Sequence, residues 1–149
     1  MYLSKITVTQ VSFFKKQKLI EIMNKQILEF NWLDSTKGNF DIDVKEIDYF
    51  FVPLIKDIFD LHVRIKRAWL HFMKNGASHS SHEHVEPTAV YYLQVPKNSG
   101  NLILHNIKET IVPKENDFLI VPALAKHSIT ENKSDRIRIV LAMLLEFMK

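Results

Sequence analysis

Cysteine is absent from the 149 residues. The absence excludes a disulfide framework, a thiolate metal site and a cysteine nucleophile. Any metal that this protein binds must therefore be held by nitrogen and oxygen ligands.

Long hydrophobic runs are also absent. The longest apolar stretches cover residues 50–55 and 139–145, far short of the roughly 20 residues that a membrane-spanning helix needs. The first five residues show no basic region that leads into an apolar stretch and a small-residue cleavage site. We therefore expect no membrane partner and no signal peptide, and we predict a cytoplasmic protein.

Clustered basic charge is scarce, although the net charge is +3 and the pI is near 9.0. Apart from Lys15, Lys16 and Lys18 the lysines are scattered, and aromatic residues do not alternate with them as in single-strand binding proteins. The basic residues are best interpreted as a solvated surface, so we expect no nucleic-acid partner. The sequence is compatible with a homodimer.

The composition is that of one globular domain covering residues 1–149. Hydrophobic residues make up 46% and charged residues 25%, and a chain of this size buries about 68–70% of its unfolded surface. Neither internal repeats nor a low-complexity linker divides the chain.

Helical spacing marks the N-terminal part. Ile20, Met23 and Ile27 recur on one helical face and predict a helix over residues 14–30. Residues 35–39 are predicted as a loop. A second helical stretch begins near Val44, and Pro53 is expected to end or kink it.

Short strands separated by turn residues follow from residue 62 onward, after a first short strand over residues 6–11. They are predicted over residues 63–72, 88–95, 101–105, 110–112, 117–121, 127–130 and 136–145. Seven closely spaced strands are typical of a sandwich or jelly roll. The predicted fold class is mainly β (α+β), a jelly roll over residues 62–149 with a mostly helical N-terminal cap over residues 1–61.

A histidine pair is the main chemical signal. In an extended chain alternate side chains share a face, so His82 and His84 project together while Glu83 points away. Two neighbouring imidazoles suit a metal that has a third ligand, and His127, which follows an apolar strand and a short loop, is the candidate. Taken alone, His-X-His is also common in surface loops.

The surroundings of these histidines resemble a family of small Fe(II)- and 2-oxoglutarate-dependent oxygenases. The pieces that agree in order and spacing, between residues 67 and 142, are Ala68-Trp69-Leu70, Lys74-Asn75-Gly76-Ala77, His82-Glu83-His84, Val90-Tyr91-Tyr92-Leu93-Gln94-Val95-Pro96, Ser99-Gly100-Asn101-Leu102, Phe118-Leu119-Ile120-Val121-Pro122, His127 and Arg136-Ile137-Arg138-Ile139. The resemblance implies a double-stranded β-helix, Fe(II) held by His82, His84 and His127, and 2-oxoglutarate as cosubstrate. The implied function is hydroxylation of a small-molecule or peptide substrate that the sequence does not identify.

The third ligand departs from the family pattern. Many members carry a carboxylate where this chain has His84, and a neutral ligand leaves the metal site one charge more positive and changes its redox potential. Glu86 shares the face of His82 and His84 in an ideal strand and is the alternative ligand.

The resemblance also implies an arginine on the last core strand that binds the far carboxylate of the cosubstrate, since a guanidinium offers two parallel charge-assisted hydrogen bonds. Arg136 is the first candidate, and Arg138, which has the same strand parity, is the second. Tyr92 is a candidate hydroxyl donor to the cosubstrate. Tyr91 and Tyr92 must face opposite sides of their strand.

The remaining polar and aromatic residues receive structural interpretations. Trp69 is predicted to be a core aromatic residue and His79 a loop residue with access to solvent. His62, His71 and His105 are predicted to be structural or edge residues.

Other functions fit the same residues. Gly76 followed after five residues by His82-Glu83-His84, with Asn116, Pro122 and His127 later, also resembles the cupin pattern. A cupin-like protein with three histidines would be a dioxygenase, an isomerase or a binding module without turnover. A zinc hydrolase would accept the same ligands, although Glu83 and Glu86 are its only candidate bases.

Overall fold

The structure, a computed structural model, describes residues 6–29 and 36–148. Two helices, α1 (Lys16–Glu29) and α2 (Asp48–Phe59), and a short 3-10 helix (Val44–Glu46) precede most of the strands. The strands are β1 (Thr9–Gln10), β2 (Lys37–Ile42), β3 (Val63–Met73), β4 (His79–His82), β5 (Thr88–Gln94), β6 (Leu102–Leu104), β7 (Glu109–Ile111), β8 (Asp117–Val121), β9 (His127–Ile129) and β10 (Arg138–Phe147). In the part of the chain described, neither helix is long and apolar enough to cross a membrane.

The strands form two antiparallel sheets. The major sheet has the order β1-β8-β5-β10-β3-β2 and the minor sheet the order β4-β9-β6-β7. Strands that are distant in sequence thus become neighbours, as β4 and β9 do. The architecture is mainly β, a double-stranded β-helix with N-terminal helices, and the predicted fold class is confirmed.

The helices cover the outer face of the major sheet. Leu19, Ile20, Met23 and Ile27 of α1 are buried at helical spacing, and they join Phe51 and Ile55 of α2 in one apolar cluster with the sheet. The helix predicted over residues 14–30 thus corresponds to α1, and Phe30 lies outside the described residues. A second apolar cluster, which includes Tyr92 and Val140, lies on the inner face between the two sheets.

Three local predictions about the N-terminal third are corrected. Pro53 was expected to end or kink the second helix, and it does not end α2, which continues to Phe59 with Phe51 and Ile55 fully buried on either side of the proline. Residues 37–39 are not a loop, since they belong to β2 and pair with β3. The strand predicted over residues 6–11 is reduced to β1, which pairs with β8 only at Thr9 and Gln10. Ser35 lies outside the described residues.

Two strand predictions near the histidines also need correction. The segment His79–His82 forms β4 and pairs with β9, although it was not among the predicted strands. The last strand begins at Arg138 rather than at residue 136. The fully buried Asn132 explains the late start, because its Nδ2 donates to the carbonyls of Met73 (2.9 Å) and Arg136 (3.1 Å) and so holds the preceding turn.

Candidate metal and cosubstrate site

An open cavity of about 170 Å³ lies between the two sheets. The inner face of the major sheet supplies one wall, because residues that face each other across β3, β10 and β5 point to the same side. The lining residues are Asn39, Trp69, His71, His79, His82, His84, Thr88, Val90, Tyr92, Leu102, Val121, His127, Ile129, Arg138, Val140 and Ala142.

Three histidines form the candidate metal centre. His82 is the last residue of β4 and His127 the first of β9, and the antiparallel register places them directly opposite each other. His84 follows in the next loop, where its carbonyl accepts a hydrogen bond from the N–H of Leu124 at 2.8 Å. One potential ligand atom from each ring lies within 4.8 Å of the other two. The three predicted metal ligands are thus brought together.

Backbone carbonyls orient two of these rings. The Nδ1 atom of His82 lies 3.0 Å from the carbonyl of Ser80, and the Nδ1 atom of His127 lies 2.8 Å from the carbonyl of Ala125. A carbonyl only accepts, so each Nδ1 carries the proton and donates it. Nε2 is then the unprotonated nitrogen of both rings and is available to a metal.

The pKa values of His127 and His84 are lower than that of a free imidazole. Burial, and to a smaller extent the neighbouring His82, lowers the pKa of His127 to about 4. Burial, and then His82, also lowers the pKa of His84. Neutral imidazole is the form that binds metals, so both groups are ready for coordination at neutral pH.

This donor set fits a first-row transition metal. Imidazole nitrogens suit iron, zinc, copper and nickel, and three ligands grouped together leave positions open for exogenous molecules. The alternative ligand Glu86 is engaged elsewhere, because its carboxylate lies 2.7 Å from Nζ of Lys66. Within the described residues the metal-ligating group consists of histidines, and Glu86 is not part of it.

Arg138 is the most unusual residue of the cavity. Its side chain is only 1% exposed, and its guanidinium carbon lies 5.3 Å from the centre of the Tyr92 ring. One guanidinium nitrogen contacts the sulfur of Met73 at 3.6 Å, while Nε has no hydrogen-bond partner among the described residues. Burial lowers the pKa of Arg138, but an arginine keeps its proton in proteins.

A buried charge without a carboxylate is costly to a fold. None of the ion pairs among residues 6–29 and 36–148 includes Arg138. The guanidinium of Arg138 can therefore pair with an anion that enters the cavity.

Arg136 does not reach this cavity. It is exposed and lies in the bend before β10, where its backbone N–H donates to Oγ of Ser134 at 3.0 Å. The prediction that Arg136 lies on the last strand is wrong, because the turn held by Asn132 ends only at residue 137. Of the two candidate arginines, Arg138 alone lines the cavity.

The two neighbouring tyrosines occupy different sides of β5, as predicted. Tyr92 is 1% exposed and lines the cavity. Burial raises the pKa of its hydroxyl, which therefore stays protonated. Tyr91 belongs to the cluster beneath the helices.

Several lining residues had been predicted to have structural roles. His71, whose pKa is lowered to about 3 by burial and then by Arg138, faces the cavity, as does Trp69 two residues earlier on β3. The sequence shows that Trp69 and His71 lie on the same face of one strand, because they are two residues apart. Whether that face borders the cavity depends on the pairing of β3 with β10. His79 is half-buried in β4 and is not a solvent-exposed loop residue.

Other residues stay outside the cavity. His62 and His105 are exposed, and Nε2 of His105 lies 2.9 Å from Oγ of Ser128. Thr88, which was not among the candidates, does line the cavity, and its buried hydroxyl has no hydrogen-bond partner in the described chain.

Comparisons with known proteins found similarity in structure only. No protein-family model and no curated protein matches the sequence. The viral collagen prolyl hydroxylase of Paramecium bursaria Chlorella virus-1, solved with 2-oxoglutarate, has a TM-score of 0.67 at 12% identity, covering 97% of this chain and 96% of that chain.

Two further solved structures have the same fold. An oxidoreductase of the 2OG-Fe(II) oxygenase family from Burkholderia pseudomallei has a TM-score of 0.66 at 11% identity, with 93% of this chain and 84% of that chain covered. The non-haem α-ketoglutarate-dependent epimerase SnoN from nogalamycin biosynthesis has a TM-score of 0.68 at 13% identity, with 93% and 74% covered. At such low identity the similarity shows the fold alone, a double-stranded β-helix.

Proposed function

We propose that this protein is a non-haem Fe(II)- and 2-oxoglutarate-dependent oxygenase of the hydroxylase type, acting on a small-molecule or peptide substrate. The observation that carries the proposal is the buried Arg138, which has no acidic partner in the described chain and shares a cavity with His82, His84 and His127. A dicarboxylate that binds the metal at one end would bring its other carboxylate to the guanidinium. Similarity of fold to enzymes described as 2-oxoglutarate-dependent supports the same assignment.

Each residue has a definite part in this proposal. His82, His84 and His127 would hold the iron from one side, with the rings of His82 and His127 fixed by their carbonyl partners. Arg138 would form two charge-assisted hydrogen bonds with the far carboxylate, and the buried hydroxyl of Tyr92 lies beside it. The lining also includes the apolar side chains of Val90, Val140 and Ala142. When bound, iron and 2-oxoglutarate together supply the activation of oxygen.

The first experiment measures cosubstrate binding. Fe(II) and 2-oxoglutarate are added to the protein without oxygen, and the weak visible charge-transfer band of the chelated complex is recorded during titration. We expect the band in the wild type. In Arg138→Gln the affinity for 2-oxoglutarate should be at least about tenfold weaker, because a charge-assisted hydrogen bond is lost. Iron binding should be unchanged in this variant.

The matched control is Arg136→Gln, which removes an exposed arginine two residues away and should leave the titration unchanged. His82→Ala and His127→Ala should abolish metal binding. If iron binds stoichiometrically to the wild type but no band forms at saturating 2-oxoglutarate, the oxygenase proposal is wrong.

A second candidate function is a cupin-like metal enzyme or binding protein that does not use 2-oxoglutarate. The observation in its favour is the neutral third ligand, because His84 occupies the position and Glu86 is paired with Lys66. In such a protein the substrate itself would bind the metal and Arg138. Stoichiometric iron without 2-oxoglutarate binding would favour this function.

A further inference from the structure

The charges around the cavity do not balance. None of the described residues that line it is an aspartate or a glutamate, whereas Arg138 contributes one buried positive charge. Glu83, which lies between His82 and His84 in the sequence, is exposed and does not line the cavity. Glu86 is paired with Lys66 at 2.7 Å. The anions that balance this site must therefore come from outside the protein.

The proposed cosubstrate leaves part of the charge uncompensated. A divalent metal with three neutral imidazole ligands keeps both of its charges, and Arg138 adds a third. 2-Oxoglutarate supplies two negative charges, so one positive charge remains in a partly buried cavity, where an unpaired charge is unfavourable. A carboxylate in the place of His84 would have removed this excess.

An unused hydrogen-bonding atom lies beside the metal group. The ring of His79 is centred 4.3 Å from that of His82, and its Nδ1 is buried without a hydrogen-bond partner among the residues described. The ring of His71 is centred 5.7 Å from that of His79. His79 therefore places an unpartnered ring nitrogen beside His82 in the lining of the cavity.

We propose that the substrate of this site is itself a carboxylate, which binds next to 2-oxoglutarate and accepts a hydrogen bond from His79. The inference rests on the proposed function, because the charge count includes the metal and 2-oxoglutarate. The carboxylate supplies the negative charge that His84 does not, and it satisfies Nδ1 of His79. The chemical class of the substrate is thus a small organic acid or a peptide presenting an acidic group.

The test uses the full-length protein loaded with Co(II), whose visible spectrum reports changes in coordination, at saturating 2-oxoglutarate. Acetate, acetamide and chloride are titrated separately, with calorimetry as a second readout. We expect acetate to bind about tenfold or more tightly than acetamide or chloride, since a charged acceptor forms the stronger hydrogen bond. Equal affinity for acetate and acetamide, or for acetate and chloride, overturns the proposal.

Two variants locate the carboxylate. His79→Phe keeps a ring but removes the donor, and it should weaken acetate about tenfold, whereas His105→Phe, an exposed histidine outside the cavity, should have no effect. His84→Asp restores the missing negative charge and should weaken acetate by a similar factor. Unchanged acetate affinity in His79→Phe overturns the role of His79 even if His84→Asp fails to hold cobalt.

Failure of the proposed function gives a different result. Binding of 2-oxoglutarate to the cobalt protein is measured before acetate is added, and its absence removes the oxygenase proposal. Acetate and acetamide are then compared on the cobalt protein alone, where the positive excess is larger. Equal affinity under those conditions would overturn the carboxylate inference as well.

Discussion

Tyr91 and Tyr92 are adjacent residues whose hydroxyl groups lie in different parts of the molecule. The hydroxyl of Tyr91 accepts a hydrogen bond from the N–H of Phe13 at 3.2 Å and lies 3.0 Å from the carbonyl of Val11 and 2.8 Å from Oδ1 of Asn116. It ties the segment before α1 to the major sheet. Tyr92 instead borders Arg138 in the cavity.

Because the two hydroxyl groups lie in different places, replacing each tyrosine by phenylalanine should affect a different property. Tyr91→Phe leaves a buried N–H unpaired, so its free energy of unfolding should fall by about 1–3 kcal/mol, with unchanged affinity for 2-oxoglutarate. Tyr92→Phe should weaken 2-oxoglutarate severalfold. Urea denaturation and calorimetry measure the two quantities, and a loss of 2-oxoglutarate affinity in Tyr91→Phe alone would contradict the assignment of faces.

His71 predicts sensitivity to acid. Burial lowers its pKa in the folded state to about 3, against about 6.5 in an unfolded chain. Between these values the unfolded chain binds more protons, so the free energy of unfolding falls as the pH is lowered from about 6.5 toward 3, by up to about 1.4 kcal/mol per pH unit for this group. Above pH 6.5 both states are neutral and its contribution is constant.

The measurement is denaturant unfolding of the metal-free protein between pH 7 and pH 4. His71→Gln should show a smaller loss of stability with falling pH, while His62→Gln, which changes an exposed histidine, should follow the wild type. Identical pH dependence of His71→Gln and the wild type would show that His71 is not buried in its neutral form.

At the scale of the elements, the turns that bring β6 and β9 together depend on one glycine. Gly100 has a φ of +114°, and a Cβ atom there would lie 2.5 Å from the carbonyl oxygen of Thr130. Gly76 also has a positive φ, +86°, but no described heavy atom lies within 4 Å of its Cβ position. Substitutions at the two glycines therefore distinguish the effect of backbone strain, which both positions have, from that of steric overlap, which only Gly100 has.

Gly100→Ala should therefore destabilise the protein more than Gly76→Ala. We expect Gly76→Ala to lower the free energy of unfolding by about 1–2 kcal/mol, the cost of a left-handed conformation, and Gly100→Ala to lower it by clearly more. Thermal and urea denaturation provide the comparison. Equal losses would mean that the Thr130 carbonyl moves away at no cost.

The elements also show how far the sequence could predict the structure. Strands such as β5 and β8, with continuous apolar and aromatic residues, were recognisable from composition because they are buried. The polar segments Lys37–Ile42 and His79–His82 were not predicted as strands, because only pairing with β3 and β9 makes them strands. Non-local pairing does not appear in a local pattern.

The candidate site, too, could be predicted only as far as local sequence patterns reach. His82, His84 and His127 were selected from spacing and from a family resemblance, and the structure brings them together. The choice between Arg136 and Arg138 depended on where β10 begins, which the buried Asn132 decides through contacts with Met73 and Arg136. The sequence pattern showed that Arg136 and Arg138 would share a face of a strand, but it did not show at which residue β10 begins.

At the scale of the whole molecule, the metal ligands connect remote parts of the chain. His82 and His127 belong to neighbouring strands of the minor sheet, whose four strands are each three or four residues long. A ligand that binds only the folded state stabilises it, by about 2.7 kcal/mol at a hundred times its dissociation constant. Metal should therefore stabilise this sheet in particular.

We expect Fe(II) or Zn(II) to raise the melting temperature by several degrees and to slow amide hydrogen exchange in β4 and β9. EDTA should reverse both effects, and His127→Ala should not respond to metal. Slower exchange confined to the helices α1 and α2 would contradict a metal site between β4 and β9.

The position of β2 has a consequence for association between molecules. As the outermost strand of the major sheet it presents a backbone edge that pairs with no other described strand, the kind of edge on which strands of other chains can add. Its exposed residues are Lys37, Asn39 and Asp41, and Asp41 pairs with Arg67 at 2.8 Å. Charged residues on an edge strand discourage such pairing. The polar composition that made β2 difficult to predict from the sequence therefore also protects the protein against aggregation through this edge.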